Sequence, residues 1–163
     1  MHSLAIDIAK YLIALPVLAS LYLLWKLDRK TRWQYLYLLV IGGIASLIIA
    51  KIAGKLYSDP RPFVKDGITP LFYSARNNGF PSDHTLLSAF IGFATLPYSR
   101  KIGFSLLIIA GLIGWARVYS GVHHFVDVLG SFAITAVSAW LVYLAIKKYG
   151  QQTHILKKTS DKA

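Results

Sequence analysis

Five apolar runs, each near the length that crosses a bilayer as a helix, constrain this chain more than any other feature. Such a span needs about 20 residues, with a range of roughly 17 to 25. The runs fall at about 4 to 25, 33 to 54, 84 to 99, 102 to 119 and 125 to 147. The pattern predicts an all-α fold, an integral-membrane helical bundle of about five transmembrane helices. Residues 1–149 are expected to form a single membrane-embedded domain and 150–163 a polar cytoplasmic tail. The first run carries Asp7 and Lys10 in its opening turns, so its apolar core is expected to begin near Tyr11. It reads as a span rather than a cleaved signal peptide, because no basic region precedes it and no small-residue cleavage site follows. The third run, HTLLSAFIGFATL, is short, ends at Pro97, and needs tilt or a thinned bilayer.

Composition narrows the chemistry. The apolar fraction of 55% is high for a soluble chain. There are no cysteines, which excludes disulfides and thiolate zinc sites. All seven acidic residues are aspartates, a poor supply for a carboxylate-caged metal or a paired-carboxylate glycosidase. No metal or other cofactor is therefore expected.

The net charge of +11 is explained by position. Lys26, Arg29, Lys30 and Arg32 fill the first connection, Arg100 and Lys101 the third, and Lys147, Lys148, Lys157, Lys158 and Lys162 follow the last span. Eleven of the eighteen basic residues thus share one side, which the positive-inside rule makes cytoplasmic. The remaining basic residues lie elsewhere rather than extending a single stripe, so no nucleic-acid partner is expected. Oligomeric state is not legible in the sequence.

Counting spans brings three polar clusters to the other, extracytoplasmic side. Lys55, Arg61 and Pro62 follow span two, PSDH with Ser82 and His84 opens span three, and Arg117, His123, His124 and Asp127 surround the end of span four. Two arginines with a lysine suit a phosphate dianion, since guanidinium donates in a bidentate plane and ammonium as a point charge. The amides at the start of span three add donors. Two histidines supply a nucleophile and an acid that work near neutral pH. The spacing from His123 to Asp127 brings carboxylate and ring together on a helix, which fixes one tautomer and leaves the other nitrogen free to attack. His123 is therefore the candidate nucleophile, Asp127 its orienting partner and His84 the candidate acid. Taken singly, each has an ordinary reading as an interfacial anchor, a proline turn or a helix cap. The joint pattern is what points to chemistry.

Together these residues resemble the three signature motifs of the type-2 phosphatidic acid phosphatase superfamily, K-x6-R-P, P-S-G-H and S-R-x5-H-x3-D. ARVYSGVHHFVD matches the third and PSDH the second, while the first ends correctly at Arg61-Pro62; the resemblance covers roughly residues 50 to 130. It implies that His123 attacks phosphorus to form a phosphohistidine, Asp127 orients it, His84 protonates the leaving oxygen, and water releases phosphate without a metal. It also implies that Arg61, Arg117 and Ser82, with Lys55 in the first motif, bind the phosphoryl oxygens.

Three departures stand out. Only five residues separate Lys55 from Arg61, which turns a helical side chain by about 100° from the family position. Lys51 is a weaker substitute. Ala116 replaces a serine, and Asp83 replaces a glycine, as in the superfamily's bacterial undecaprenyl-diphosphate phosphatases. The family's usual first span is expected to be lacking, leaving five. The resemblance implies a lipid phosphate or diphosphate substrate in the membrane. Asp83 favours undecaprenyl diphosphate, converted to the monophosphate; phosphatidic acid, phosphatidylglycerol phosphate and a lipid A 1-phosphate are alternatives. A different class, a non-catalytic anionic-lipid-binding membrane protein, fits the same basic and aromatic helices.

Overall fold

A computed structural model describes residues 2–160, with side chains described through Tyr149. Among the described residues the regular elements are helices, with a long irregular connection between the fifth and sixth: α1 (His2–Tyr11), α2 (Ala14–Lys26), α3 (Arg29–Tyr37), α4 (Gly43–Leu56), the short α5 (Pro62–Lys65), α6 (Asp83–Thr95), α7 (Arg100–Tyr119) and α8 (Phe125–Ser160). A π-helical turn, Leu38–Gly42, joins α3 to α4. Local signals set the boundaries. Asp28 caps α3, its carboxylate accepting from the amides of Lys30 (3.0 Å) and Thr31 (3.2 Å). Ser99 begins α7 by accepting from the Ile102 amide. Gly121, with φ near +69°, turns the chain after α7 in a conformation that a side chain would strain.

Among the described residues three helices, Arg29–Leu56, Arg100–Tyr119 and Phe125–Tyr149, are long and apolar enough to cross a bilayer; α1 with α2, bent by 40°, add a fourth when the pair is counted as one span. The chain is an integral-membrane helical bundle. The segment expected to span at 84 to 99 is a helix of only 13 residues. It lies against α7 and α8, with α2 and α4 also touching it, and most of its residues are buried. A four-residue link joins it to α7, against which it packs. The first expected span is broken between Tyr11 and Ala14. The tail expected from 150 begins as a continuation of α8, and 161–163 lie outside the described residues.

The core centres on Leu23, Tyr35, Leu38, Phe90, Ile91 and Leu106. Leucines, isoleucines and tryptophans such as Ile44, Ile48, Ile108, Leu112, Trp140 and Leu141 face outward, as a lipid-contacting surface requires. Between the helices runs a seam of small hydroxyl residues. Tyr35 and Thr95 share a 2.8 Å hydrogen bond, Ser46 meets Ser138, and Ser131 donates to the carbonyls of Ser82 (3.0 Å) and Asp127 (2.8 Å). Small residues let membrane helices approach closely and bond across the gap. The bond to the Ser82 carbonyl ties the start of α6 to the second turn of α8.

Candidate active site

The C-terminal ends of α4 and α7 and the N-terminal ends of α6 and α8 meet at one end of the bundle. His123 sits there in the turn before α8 rather than on it, and only 2% of it is exposed. Its Nδ1 lies 3.0 Å from Asp127 Oδ2, which also accepts the His124 main-chain amide at 2.9 Å. Its Nε2 faces Arg61 Nη1 at 3.0 Å and Arg117 Nη2 at 3.3 Å. Guanidinium groups only donate. Nε2 must therefore be the accepting nitrogen, which places the single ring proton on Nδ1 and leaves a lone pair pointing at the two arginines. Burial holds His123 below the ordinary imidazole value; Asp127 opposes this, while Arg61 and Arg117 reinforce it.

Each arginine is anchored at its back. Arg61 Nε donates to Asn77 Oδ1 at 3.0 Å, and Nη1 also donates to the Val122 carbonyl at 2.9 Å. Arg117 Nη1 donates to the Ala9 carbonyl at 3.4 Å and the guanidinium stands over the Phe72 ring, while its buried Nε has no hydrogen-bond partner among the described residues. Ser82 is buried at the N-cap of α6 without capping it; its Oγ accepts from Thr85 Oγ1 at 3.1 Å, which leaves the serine proton free to donate. His84 is half-buried on the first turn of α6, within the electrostatic reach of Arg117, Asp83, His123 and Arg61.

The expected residues His123, Asp127, Arg61, Arg117, Ser82 and His84 thus come to one end of the bundle, with direct contacts linking the first four. Lys55 and Lys51 are exposed, and neither makes a hydrogen bond or ion pair among the described residues. Asp83 is exposed and lines an apolar groove of about 550 Å³ between α2, α4 and α6, together with Val17, Leu21, Leu47, Leu87 and Phe90.

Sequence reading missed the supporting residues. Asn78 accepts the amides of Asp59 (2.9 Å) and Phe80 (3.1 Å) and donates to the Gly54 carbonyl (2.7 Å). Gly79 lies so close that a Cβ there would stand 3.0 Å from Asp127 Oδ2. The Asn-Asn-Gly triplet signals a turn, but nothing local says which carboxylate the turn will meet. Asp59, His124 and Asp127 also approach one another closely enough to hold a metal ion. Asp59 and Asp127 are both engaged by histidines, however, and Lys65 stands 3.6 Å from Asp59.

A membrane-embedded helical bundle that gathers two arginines and a histidine–aspartate pair at one end belongs with the membrane lipid phosphatases. The chain belongs to the PAP2 superfamily, whose pattern matches residues 17–151. It is similar to undecaprenyl-diphosphatase BcrC of Bacillus subtilis (strain 168), with 34% identity over 143 residues covering 88% of this chain and 74% of that relative. Its fold is shared with Aquifex aeolicus LpxE at a TM-score of 0.67 and 21% identity, covering 86% and 84% of the two chains. A transmembrane PAP2 type phosphatidylglycerolphosphate phosphatase from Bacillus subtilis aligns with a TM-score of 0.59 and 25% identity, covering 93% of this chain and 77% of that one.

Proposed function

We propose that this lipid phosphatase hydrolyses undecaprenyl diphosphate to undecaprenyl phosphate through a phosphohistidine and without a metal. The carrying observation is the tautomer of His123, whose unprotonated Nε2 faces both arginines while Nδ1–H is held by Asp127. A terminal phosphoryl group entering this corner draws the guanidinium donors onto its oxygens and exposes the Nε2 lone pair to phosphorus. Nε2 forms the N–P bond as the bridging P–O bond breaks, and Asp127 stabilises the positive ring that results. His84 gives its proton to the departing lipid phosphate oxygen; the incoming anion favours the protonated ring. Water then attacks the phosphohistidine, returns a proton to His84, and releases inorganic phosphate. Arg61, Arg117 and the Ser82 hydroxyl stabilise the equatorial oxygens, the chief need of a loose phosphoryl-transfer transition state. Lys55 serves at most at the rim.

The similarity to BcrC and the PSDH sequence support the diphosphate substrate. The groove beside Asp83 supports a long apolar tail lying between α2 and α4 with its head at the start of α6. Charge asymmetry supports an extracytoplasmic site and a cytoplasmic C-terminal tail.

The test is phosphate release in detergent with excess EDTA, comparing undecaprenyl diphosphate, phosphatidic acid and phosphatidylglycerol phosphate, with His123→Ala as the blank. Release that persists in EDTA, vanishes in the variant and is fastest with the diphosphate supports the proposal. Preference for another lipid overturns the substrate alone. Binding without turnover of any of them replaces the enzyme by a lipid-binding protein.

A further inference from the structure

His124 immediately follows the candidate nucleophile, yet its ring points away from it. Nδ1 lies 2.9 Å from Asp59 Oδ2 and Nε2 lies 3.2 Å from Asp66 Oδ2. Both carboxylates belong to the connection that carries Arg61, one two residues before it and the other five after. The ring thus stands between the two sides of the Arg61 loop, hydrogen-bonded to Asp66 through Nε2 and in close contact with the Asp59 carboxylate at Nδ1.

Asp59 is the deeper anchor, with 4% exposed. Its Oδ1 faces Lys65 Nζ at 3.6 Å, its amide donates to Asn78, and its carbonyl accepts from Gly79 at 2.8 Å. The His124 main-chain amide meanwhile donates to the Asp127 oxygen that holds His123. One residue thus touches the orienting carboxylate with its backbone and both flanks of the arginine loop with its side chain. The ring is a quarter exposed, and the polar groups it meets are carboxylates of the Arg61 loop.

We infer that His124 is a positioning residue, with Asp59 and Asp66 as its partners, that sets the Arg61 guanidinium against His123 Nε2. The inference rests on the roles given above to Arg61 and His123. It acts through geometry: a displacement of about 1 Å at a phosphoryl-binding group can cost on the order of 100-fold in rate.

The experiment is a double-mutant cycle on turnover of undecaprenyl diphosphate, combining His124→Ala with Arg61→Ala. Asp66→Asn serves as a milder partner, because that carboxylate is exposed and its loss leaves the fold intact. In the otherwise native protein, His124→Ala should lower kcat/KM by about 10- to 100-fold and Asp66→Asn by about 3- to 10-fold. In the Arg61→Ala background both losses should shrink to within about 2-fold, since residues that act through one another are not additive. Equal losses in both backgrounds, or no loss in either, overturn the inference while leaving Arg61 in its role. If Arg61→Ala alone leaves turnover unchanged, the assignment of Arg61 falls, and the positioning role with it.

Discussion

Asp127 Oδ2 lies 3.0 Å from His123 Nδ1, although His123 precedes α8 and Asp127 sits on its first turn. The contact decides which ring nitrogen carries the proton, and therefore which one is able to attack. Asp127→Asn keeps the shape but places an amide donor where an acceptor is needed. The proton should move to Nε2, and kcat should fall by about 1,000- to 10,000-fold with little change in melting temperature. Single-turnover phosphate release checks this; a loss below 10-fold would show that the tautomer does not matter.

The pH dependence has a defined sign. Burial, reinforced by Arg61 and Arg117, lowers the His123 value, so the neutral nucleophile persists as pH falls below the ordinary imidazole value of about 6.5. The acid limb of single-turnover kcat/KM should accordingly lie below that pH. Removing either positive neighbour removes a cause of the lowering, so Arg61→Ala or Arg117→Ala should move the limb to higher pH. A limb that stays in place in both variants refutes the assignment.

Gly79 offers a test at a residue with no chemistry of its own. A Cβ there would stand 3.0 Å from Asp127 Oδ2 and 3.1 Å from the Asp59 carbonyl. Gly79→Ala should displace the orienting carboxylate and lower kcat by about 10- to 100-fold. Kinetics paired with a thermal melt separates this from unfolding, because the variant should retain most of its melting temperature.

Stability and activity should separate at the other end of the bundle. Tyr35 is fully buried and shares a 2.8 Å hydrogen bond with Thr95, far along α6 from His84. Tyr35→Phe should cost about 1 kcal/mol, with up to about 3 if the Thr95 hydroxyl finds no other partner. Detergent-solubilised thermal unfolding should show the loss while kcat/KM stays within about 2-fold.

Asp83 supplies a test of substrate choice. It lines the apolar groove near the start of α6. Asp83→Gly should change the ratio of diphosphate to monophosphate turnover by more than 3-fold while turnover itself persists. An unchanged ratio would remove Asp83 from the reasons for the diphosphate assignment.

Much of the site was legible because its chemistry is written in short local patterns. RP, PSDH and R-x5-H-x3-D each specify residue types at fixed offsets, and the alternation of apolar runs carries them toward one end of the bundle. The backing of the site was not legible in the same way. Asn77 behind Arg61, Gly79 beneath Asp127 and the two carboxylates around His124 are joined across 16, 48, 65 and 58 residues respectively. No local periodicity encodes such pairings.

The sequence alone determined the membrane class, the helical fold, the family resemblance and the identity of the chemical groups, because hydrophobic length and motif spacing are properties of contiguous residues. Only the tertiary structure decided that α6 is a short helix, most of it buried against α7 and α8. It also left Lys55 outside the contact network of the pocket and directed His124 toward the Arg61 loop. These outcomes depend on how helix ends are brought together in three dimensions, where a side chain's partner is set by packing across the bundle rather than by its neighbours in the chain.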